Sequence, residues 1–340
     1  RNQRDAELKF GIFSVVDHYP NELKRDVGTF YEELLEQVEA AEQLGFDSFW
    51  IAEHHFHEYG AIPRPAIWIA AAAQRTKRIK LGCAVVVLPF DNPLRVAEDL
   101  AMVDILSNGR LQVGVGSGYL AHEFDGFNIN PDEKRERFDE SLTILTKAWS
   151  GEKFSFSGNY YNCKDVQLNV VPVQNPSPPI HIAVLRNEVA PFVGAKQLPM
   201  MMIPYATTEH LDELKATTSS YRAALAEAGG DGQQAEISFG LHTYCASTTA
   251  GARKECEEAM NRYVRTRLYA RQRPIDSLID KDLVAFGDPE EVLRVAGHYQ
   301  DAGLTNFLAI NNFGGLPHKK VLQSMELIAK GVLQPCSSTK

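Results

Sequence analysis

Cysteine is scarce: there are five in 340 residues, and no two stand at a C-x-x-C spacing. An odd, scattered set argues against a disulfide framework or a zinc ribbon and for free thiols in a reducing compartment. Basic charge is also short, with 35 Lys and Arg against 44 Asp and Glu, a formal net charge of −9. Such an acidic chain is a poor partner for nucleic acid and for anionic lipid. No uninterrupted apolar run approaches the roughly 20 residues that span a bilayer. Residues 1–9 are polar and hold no apolar signal core, so the expected compartment is the cytosol. A dinucleotide fingerprint is missing too. The one glycine cluster at a strand end, Gly114-Val115-Gly116-Ser117-Gly118, has the spacing G-x-G-x-G and not G-x-G-x-x-G.

What is present is a globular composition, 44% hydrophobic, patterned as alternating strand and helix. Strands are expected over residues 8–16, 46–52, 79–87, 111–115, 180–185, 199–203, 236–245 and 306–311. Tyr31, Leu34, Leu35, Val38 and Ala41 form one apolar stripe at helical spacing, closed by Gly45. Further helices are expected over 65–75, 93–106, 135–149, 189–196, 209–228, 250–267, 289–302 and 319–330. Two polar inserts interrupt the alternation, a hairpin or loop over 150–179 and an irregular stretch over 268–282 that carries Arg271, Arg273 and Pro274. Strict alternation implies a parallel sheet. Eight units favour a closed (β/α)8 TIM barrel, read as a single domain over 1–340 whose last few residues form a flexible tail.

In such a barrel, function sits at the C-terminal ends of the strands. The densest cluster follows the second strand: Glu53-His54-His55-Phe56-His57-Glu58-Tyr59-Gly60. Three histidines in four residues suit acid–base chemistry near neutral pH or a metal. His55-x-His57 resembles the pair of metal-dependent barrel hydrolases. Such a site needs more ligands, and the later strand ends offer Leu185, Pro204 and Asn311, while His181 begins its strand and points the wrong way. No metal site is expected. Arg95, Glu98 and Asp99 read as helix-surface or interhelical pairs. Phe13, Phe56, Tyr59, Tyr119 and Tyr205 lie near strand ends, where barrel packing is the ordinary role of an aromatic ring.

The cluster Glu53-His54-His55-Phe56 with Glu58-Tyr59-Gly60 resembles the second-strand motif of the bacterial luciferase family. The likeness continues in order. It takes in Gly82-Cys83-Ala84-Val85-Val86-Val87-Leu88-Pro89, then Asn92-Pro93-Leu94-Arg95-Val96-Ala97-Glu98-Asp99. Asn108-Gly109-Arg110-Leu111, Arg135-Glu136-Arg137-Phe138-Asp139-Glu140 and Phe313-Gly314-Gly315-Leu316-Pro317-His318 follow. The resemblance implies a monooxygenase that binds reduced FMN, forms a flavin C4a-hydroperoxide with molecular oxygen and transfers one oxygen atom to a small organic substrate. A separate NAD(P)H:flavin reductase supplies the flavin, and the barrels pair as a homodimer; the alanine run Ala70-Ala71-Ala72-Ala73 offers a surface for that contact. By the same resemblance His54 is the catalytic acid–base residue. Ala84 and Val85 are joined by a cis peptide beneath the flavin ring. Arg135, with Lys134 and Arg137 close by, grips the FMN phosphate. Two departures stand out. The family's small hydroxylated residues after the fifth strand are replaced by Val184-Leu185-Arg186-Asn187-Glu188-Val189, where Arg186 or Asn187 takes over the phosphate. Gly116 and Ser117 stand where the luciferases proper carry a reactive cysteine and an arginine, which counts against light emission. The competing classes are a deazaflavin-dependent dehydrogenase on the same barrel and a non-catalytic flavin-binding relative.

Overall fold

The computed structural model describes residues 8–58, 60–232, 234–268 and 272–333. The flexible-tail reading, Tyr59 and Arg271 lie outside these. Eight parallel strands close into a barrel. They are β1 (Lys9–Ser14), β2 (Ser48–Ile51), β3 (Lys80–Val87), β4 (Leu111–Gly116), β7 (Ile180–Ala183), β8 (Met200–Met202), β9 (Ile237–Cys245) and β11 (Asn306–Asn312). The ring order is β9-β11-β1-β2-β3-β4-β7-β8, and β8 returns to β9. All eight expected strands are present. Their apolar runs are buried on both faces, inward against the barrel core and outward against helices, as parallel strands require.

Local chemistry sets the helix boundaries. In α1 (Val27–Leu44) the Asp26 carboxylate accepts from Thr29 N–H at 3.0 Å, and Gly45 closes the end at φ 88°. In α3 (Pro93–Leu106) Asn92 caps Leu94 N–H at 2.9 Å, with proline at the first position. Buried Arg110 ties the bottom of the barrel together. Its guanidinium donates to the carbonyls of Ala73, Thr76 and Ile79 and to the Thr76 hydroxyl, so it satisfies orphan carbonyls at the end of α2 (Pro65–Arg75). Trp50 fills the barrel interior, edge-on to His181 at 5.1 Å. Gly82 makes room for that ring, since a Cβ there would stand 2.1 Å from Trp50 Cε3. His181 is buried and pushed down to about 4 by desolvation, so it fills the interior as a neutral ring.

The first insert is an antiparallel hairpin of β5 (Phe154–Ser157) and β6 (Asn162–Val166). It follows α5 (Lys134–Trp149), which is preceded by a short α4 (Ala121–Gly126). The second insert is longer than expected. After β9 the chain enters α9 (Thr249–Thr266), passes α10 (Ile275–Asp280), and returns through β10 (Ala285–Gly287), which pairs with the upper half of β9. The helix that carries the chain back to the next barrel strand is therefore α11 (Pro289–Asp301), capped by Asp288. α9 is an excursion at the mouth, tied by Arg262 to the Gly314 carbonyl at 2.6 Å and to Glu22 at 3.2 Å.

The alanine run of α2 is split: Ala72 and Ala73 are buried within the chain's own packing, while Ala70 is half-buried and Ala71 exposed. Beside it Ile67 of α2 and Met102, Ile105 and Leu106 of α3 are exposed large apolar side chains. Among the described residues, no helix is long and apolar enough to cross a membrane.

Candidate active site

The C-terminal ends of the strands surround a cavity of about 670 Å³, within the range of a small-molecule or cofactor site. All seven residues singled out in the sequence line it: His54, Ala84, Val85, Gly116, Ser117, Arg135 and Arg186. Phe13, Val15, Met201 and Leu308 contribute apolar wall.

The loop after β2 points its three histidines in different directions. His54 is buried, and its Nδ1 stands 3.2 Å from Glu123 Oε1. The same carboxylate oxygen accepts the His55 backbone N–H at 2.8 Å, which pins the loop as well as the ring. His55 turns away. Its Nε2 meets Glu53 Oε1 at 2.9 Å, and its ring packs edge-on to Phe127 at 4.8 Å. His57 lies beside His122, ring centroids 5.7 Å apart. Among the described residues, no group of three or more His, Cys, Asp and Glu is placed to hold a metal ion.

Burial is the main influence on His54 and holds its pKa below the ordinary imidazole value. The Glu123 carboxylate opposes this, and the Arg267 charge adds to it. Burial raises the Glu53 carboxyl, with His55 opposing. A neutral His54 that donates Nδ1–H to Glu123 presents Nε2 as its acceptor face.

The Ala84–Val85 peptide is cis, as expected from the motif. Gly114 and Gly116 let β4 lie close to it. A Cβ on Gly116 would stand 2.8 Å from Val85 Cγ2, and one on Gly114 would stand 2.4 Å from the Cys83 carbonyl oxygen. The glycine cluster therefore serves strand packing at the cavity wall.

Cations collect at the rim beyond β4 and β7. Lys134, Arg135, Arg186 and Lys196 line the cavity there, with Asp139 among them. Arg135 is 64% exposed, 3.9 Å from Asp139, and its guanidinium carbon lies 5.4 Å from the Phe192 ring centroid. Arg186 pairs loosely with Glu188 at 3.7 Å. Arg137 faces away, paired with Glu133 at 2.9 Å and stacked on Tyr160. Of the neighbouring charges, Asp99 reads as expected: it pairs with Arg64 at 2.6 Å.

Sequence reasoning missed Glu123, Tyr263 and Arg267. Glu123 sits on the six-residue α4, too short to show a helical period, and meets a residue 69 positions away. Tyr263 and Arg267 lie at the end of α9, which reads in sequence as an ordinary barrel helix.

Residues 8–310 match the model of the luciferase-like monooxygenase family. The monooxygenase RslO1 of Streptomyces bottropensis superposes with a TM-score of 0.90 at 30% identity, covering 96% of this chain and 99% of that one. The 4-hydroxyprotoasukamycin monooxygenase of Streptomyces nodosus subsp. asukaensis is 28% identical over 96% of this chain and 91% of its own length. An F420-dependent glucose-6-phosphate dehydrogenase of Amycolatopsis mediterranei is 34% identical over 48% of this chain and 50% of its own length. The chain spans about half the length of the first curated relatives it matches. With the family match covering most of the chain, this protein belongs to the luciferase-like monooxygenase family.

Proposed function

We propose that this enzyme is the oxygenase component of a two-component monooxygenase that uses reduced FMN. The observation that carries the reading is the make-up of one cavity: a buried His54–Glu123 pair, a wall at the cis-linked Ala84 and Val85, and a cationic rim. The residues fit the cofactor. Arg135, Lys134, Arg186 and Lys196 would hold the phosphate, with Ser117 beside them, and a guanidinium fork suits that oxyanion. Ala84, Val85 and Gly116 would seat the ring system. When bound, reduced FMN supplies the electrons that activate molecular oxygen, one atom of which goes to an organic substrate.

The chain's own part is orientation and proton handling. Glu123 fixes the tautomer and plane of His54, so that Nε2 is the proton-exchanging atom. The apolar wall and the α9 roof keep water out of the reacting space. A relative 27% identical over 74% of this chain is named the oxygenase component of a flavin-dependent trigonelline monooxygenase, which supports a separate NAD(P)H:flavin reductase as the electron source. The exposed apolar residues Ile67 (71% exposed) and Met102 (53%) on adjacent helices support a homodimer through α2 and α3.

A second reading, F420-dependent hydride transfer, has support from the dehydrogenase relative, and the cationic rim suits any phosphorylated tail. Oxygen uptake separates the two. The test is a product screen: protein, reduced FMN and ¹⁸O-labelled oxygen with candidate aldehydes, ketones and aromatics, read by mass spectrometry. The expected result is a product carrying one labelled atom. Label-free turnover with F420 would favour the second reading.

A further inference from the structure

The glycines inside the barrel strands are not alike. A Cβ on Gly11 would stand 2.3 Å from Ser48 Oγ, and one on Gly82 would stand 2.1 Å from Trp50. One on Gly114 or Gly116 would meet the Cys83 carbonyl or Val85. At each of these, another group already occupies the space. Gly240 of β9 differs. Its φ lies outside the left-handed region, so the backbone does not require glycine there. A Cβ would stand 3.2 Å from Phe13 Cδ1, 3.4 Å from Ile310 Cδ1 and 3.6 Å from Ile203 Cγ1, all ends of apolar side chains. The nearest of these, the Phe13 ring, borders the open cavity and has room to yield. A glycine inside a strand is otherwise unfavourable, since it loses more backbone entropy than alanine and packs no side chain. What it leaves here is space, because Gly240 lines the cavity.

That space faces the flavin seat. In the ring of eight strands β9 stands opposite β3, which carries Ala84 and Val85. A cofactor with its phosphate at the cationic rim and its ring at Ala84 and Val85 leaves this far side for the organic substrate. Around Gly240 the wall is Phe13 of β1, Ile203 just after β8, and Leu308 of β11, the residue in register with Gly240. All three side chains are hydrocarbon. His242, on the same face of β9, is buried among the rings of Tyr205, Tyr263 and Phe313. Burial pushes it down to about 3, so β9 brings no charge to this side.

We propose that Gly240 is the specificity-determining residue of the cavity. It opens an apolar subsite opposite the flavin seat, and the substrate class is a molecule whose bulky hydrocarbon body fills that subsite. That the occupant is the substrate rests on the flavin reading above; that Gly240 opens apolar space does not.

The test is calorimetric titration of protein loaded with oxidised FMN, using benzyl alcohol and 2-naphthalenemethanol, which share a head group and differ by one ring. The wild-type chain should bind the two-ring probe at least about tenfold more tightly, since each further buried methylene equivalent contributes about fourfold. Gly240→Val should erase that preference while leaving benzyl alcohol and FMN nearly unchanged, and Gly240→Ala should remove part of it. Adding Leu308→Ala to Gly240→Val should restore the two-ring probe, a rescue that a merely structural role for Gly240 would not give. The proposal is overturned if the wild-type chain shows no preference or binds neither probe, if the preference survives Gly240→Val, or if Leu308→Ala gives no rescue. Should Gly240→Val fail to fold, Gly240→Ala decides alone, and an unchanged preference there overturns the proposal. A Gly240 variant that loses FMN would place the flavin on the β9 side, which also overturns it. If the wild-type chain fails to take up FMN, the flavin reading fails, and the same probes on flavin-free protein still read out Gly240.

Discussion

Replacing Arg135 by Ala should weaken FMN selectively over riboflavin, which has the same ring and no phosphate. The structure limits what else the change removes. Arg135 is 64% exposed, its carboxylate partner Asp139 is 3.9 Å away, and its guanidinium lies over the Phe192 ring. Exposed substitutions of this kind alter stability by about 0.5 kcal/mol or less. A charged hydrogen bond contributes about 1.5–3 kcal/mol. Solvent screening and the neighbouring Lys134, Arg186 and Lys196 reduce the share of any one cation, to about 1–2 kcal/mol. That is a loss of roughly fivefold to thirtyfold in FMN affinity, with riboflavin affinity unchanged. The gap between the two ligands should narrow as salt rises, since the Debye length is about 8 Å at physiological ionic strength. Fluorescence titration of both flavins at two salt concentrations reads this directly. Equal weakening of FMN and riboflavin would refute the phosphate assignment and leave Arg135 acting through the fold.

Burial and the Arg267 charge hold His54 below the ordinary imidazole range while Glu123 pulls it upward. The acid limb of the rate–pH profile should therefore lie below the ordinary imidazole pKa, move lower still in Glu123→Gln and move upward in Arg267→Met; shifts in the same direction would break the link to His54. Arg110→Met leaves several buried carbonyls without their donor, so thermal or urea unfolding should show a loss of about 3 kcal/mol; a loss under 1 kcal/mol would contradict its tying role. Ile67→Glu with Leu106→Glu places charge on the exposed apolar face of α2 and α3, and sedimentation should show a dimer becoming monomer; a wild-type chain that is monomeric at micromolar concentration rejects that interface.

The eight strands were legible because parallel barrel strands are buried on both faces and are written as short β-branched runs, as in residues 79–87. The loop after β2 was legible because three histidines in four residues are rare outside a site. The His54 partner was not. Glu123 lies on a six-residue helix, and only tertiary packing brings it to a ring 69 positions away. The far side of the cavity was hidden for a different reason. α9 carries the apolar stripe of a barrel helix, so nothing in its sequence shows that it roofs the mouth and delivers Tyr263 and Arg267. The return of the chain through β10 decides that, and three residues are too few to show a strand period. The alanines of α2 were ambiguous in sequence, because small side chains suit packing against the chain's own barrel, as Ala72 and Ala73 do, as well as an outward surface, where Ala71 lies.

Stopped-flow absorbance after mixing anaerobic protein and reduced FMN with oxygen tests the central claim most directly. The account predicts that the wild-type chain holds reduced FMN and changes its course of reoxidation from that of the free flavin. His54→Ala should bind FMN with nearly unchanged affinity and slow the protein-dependent phase by about 10²–10⁴, the range of a positioned acid or base. His55→Ala, whose ring faces Glu53 and Phe127, should stay near the parent rate. Reoxidation indistinguishable from free flavin, or the same rate in wild type and His54→Ala, would contradict it.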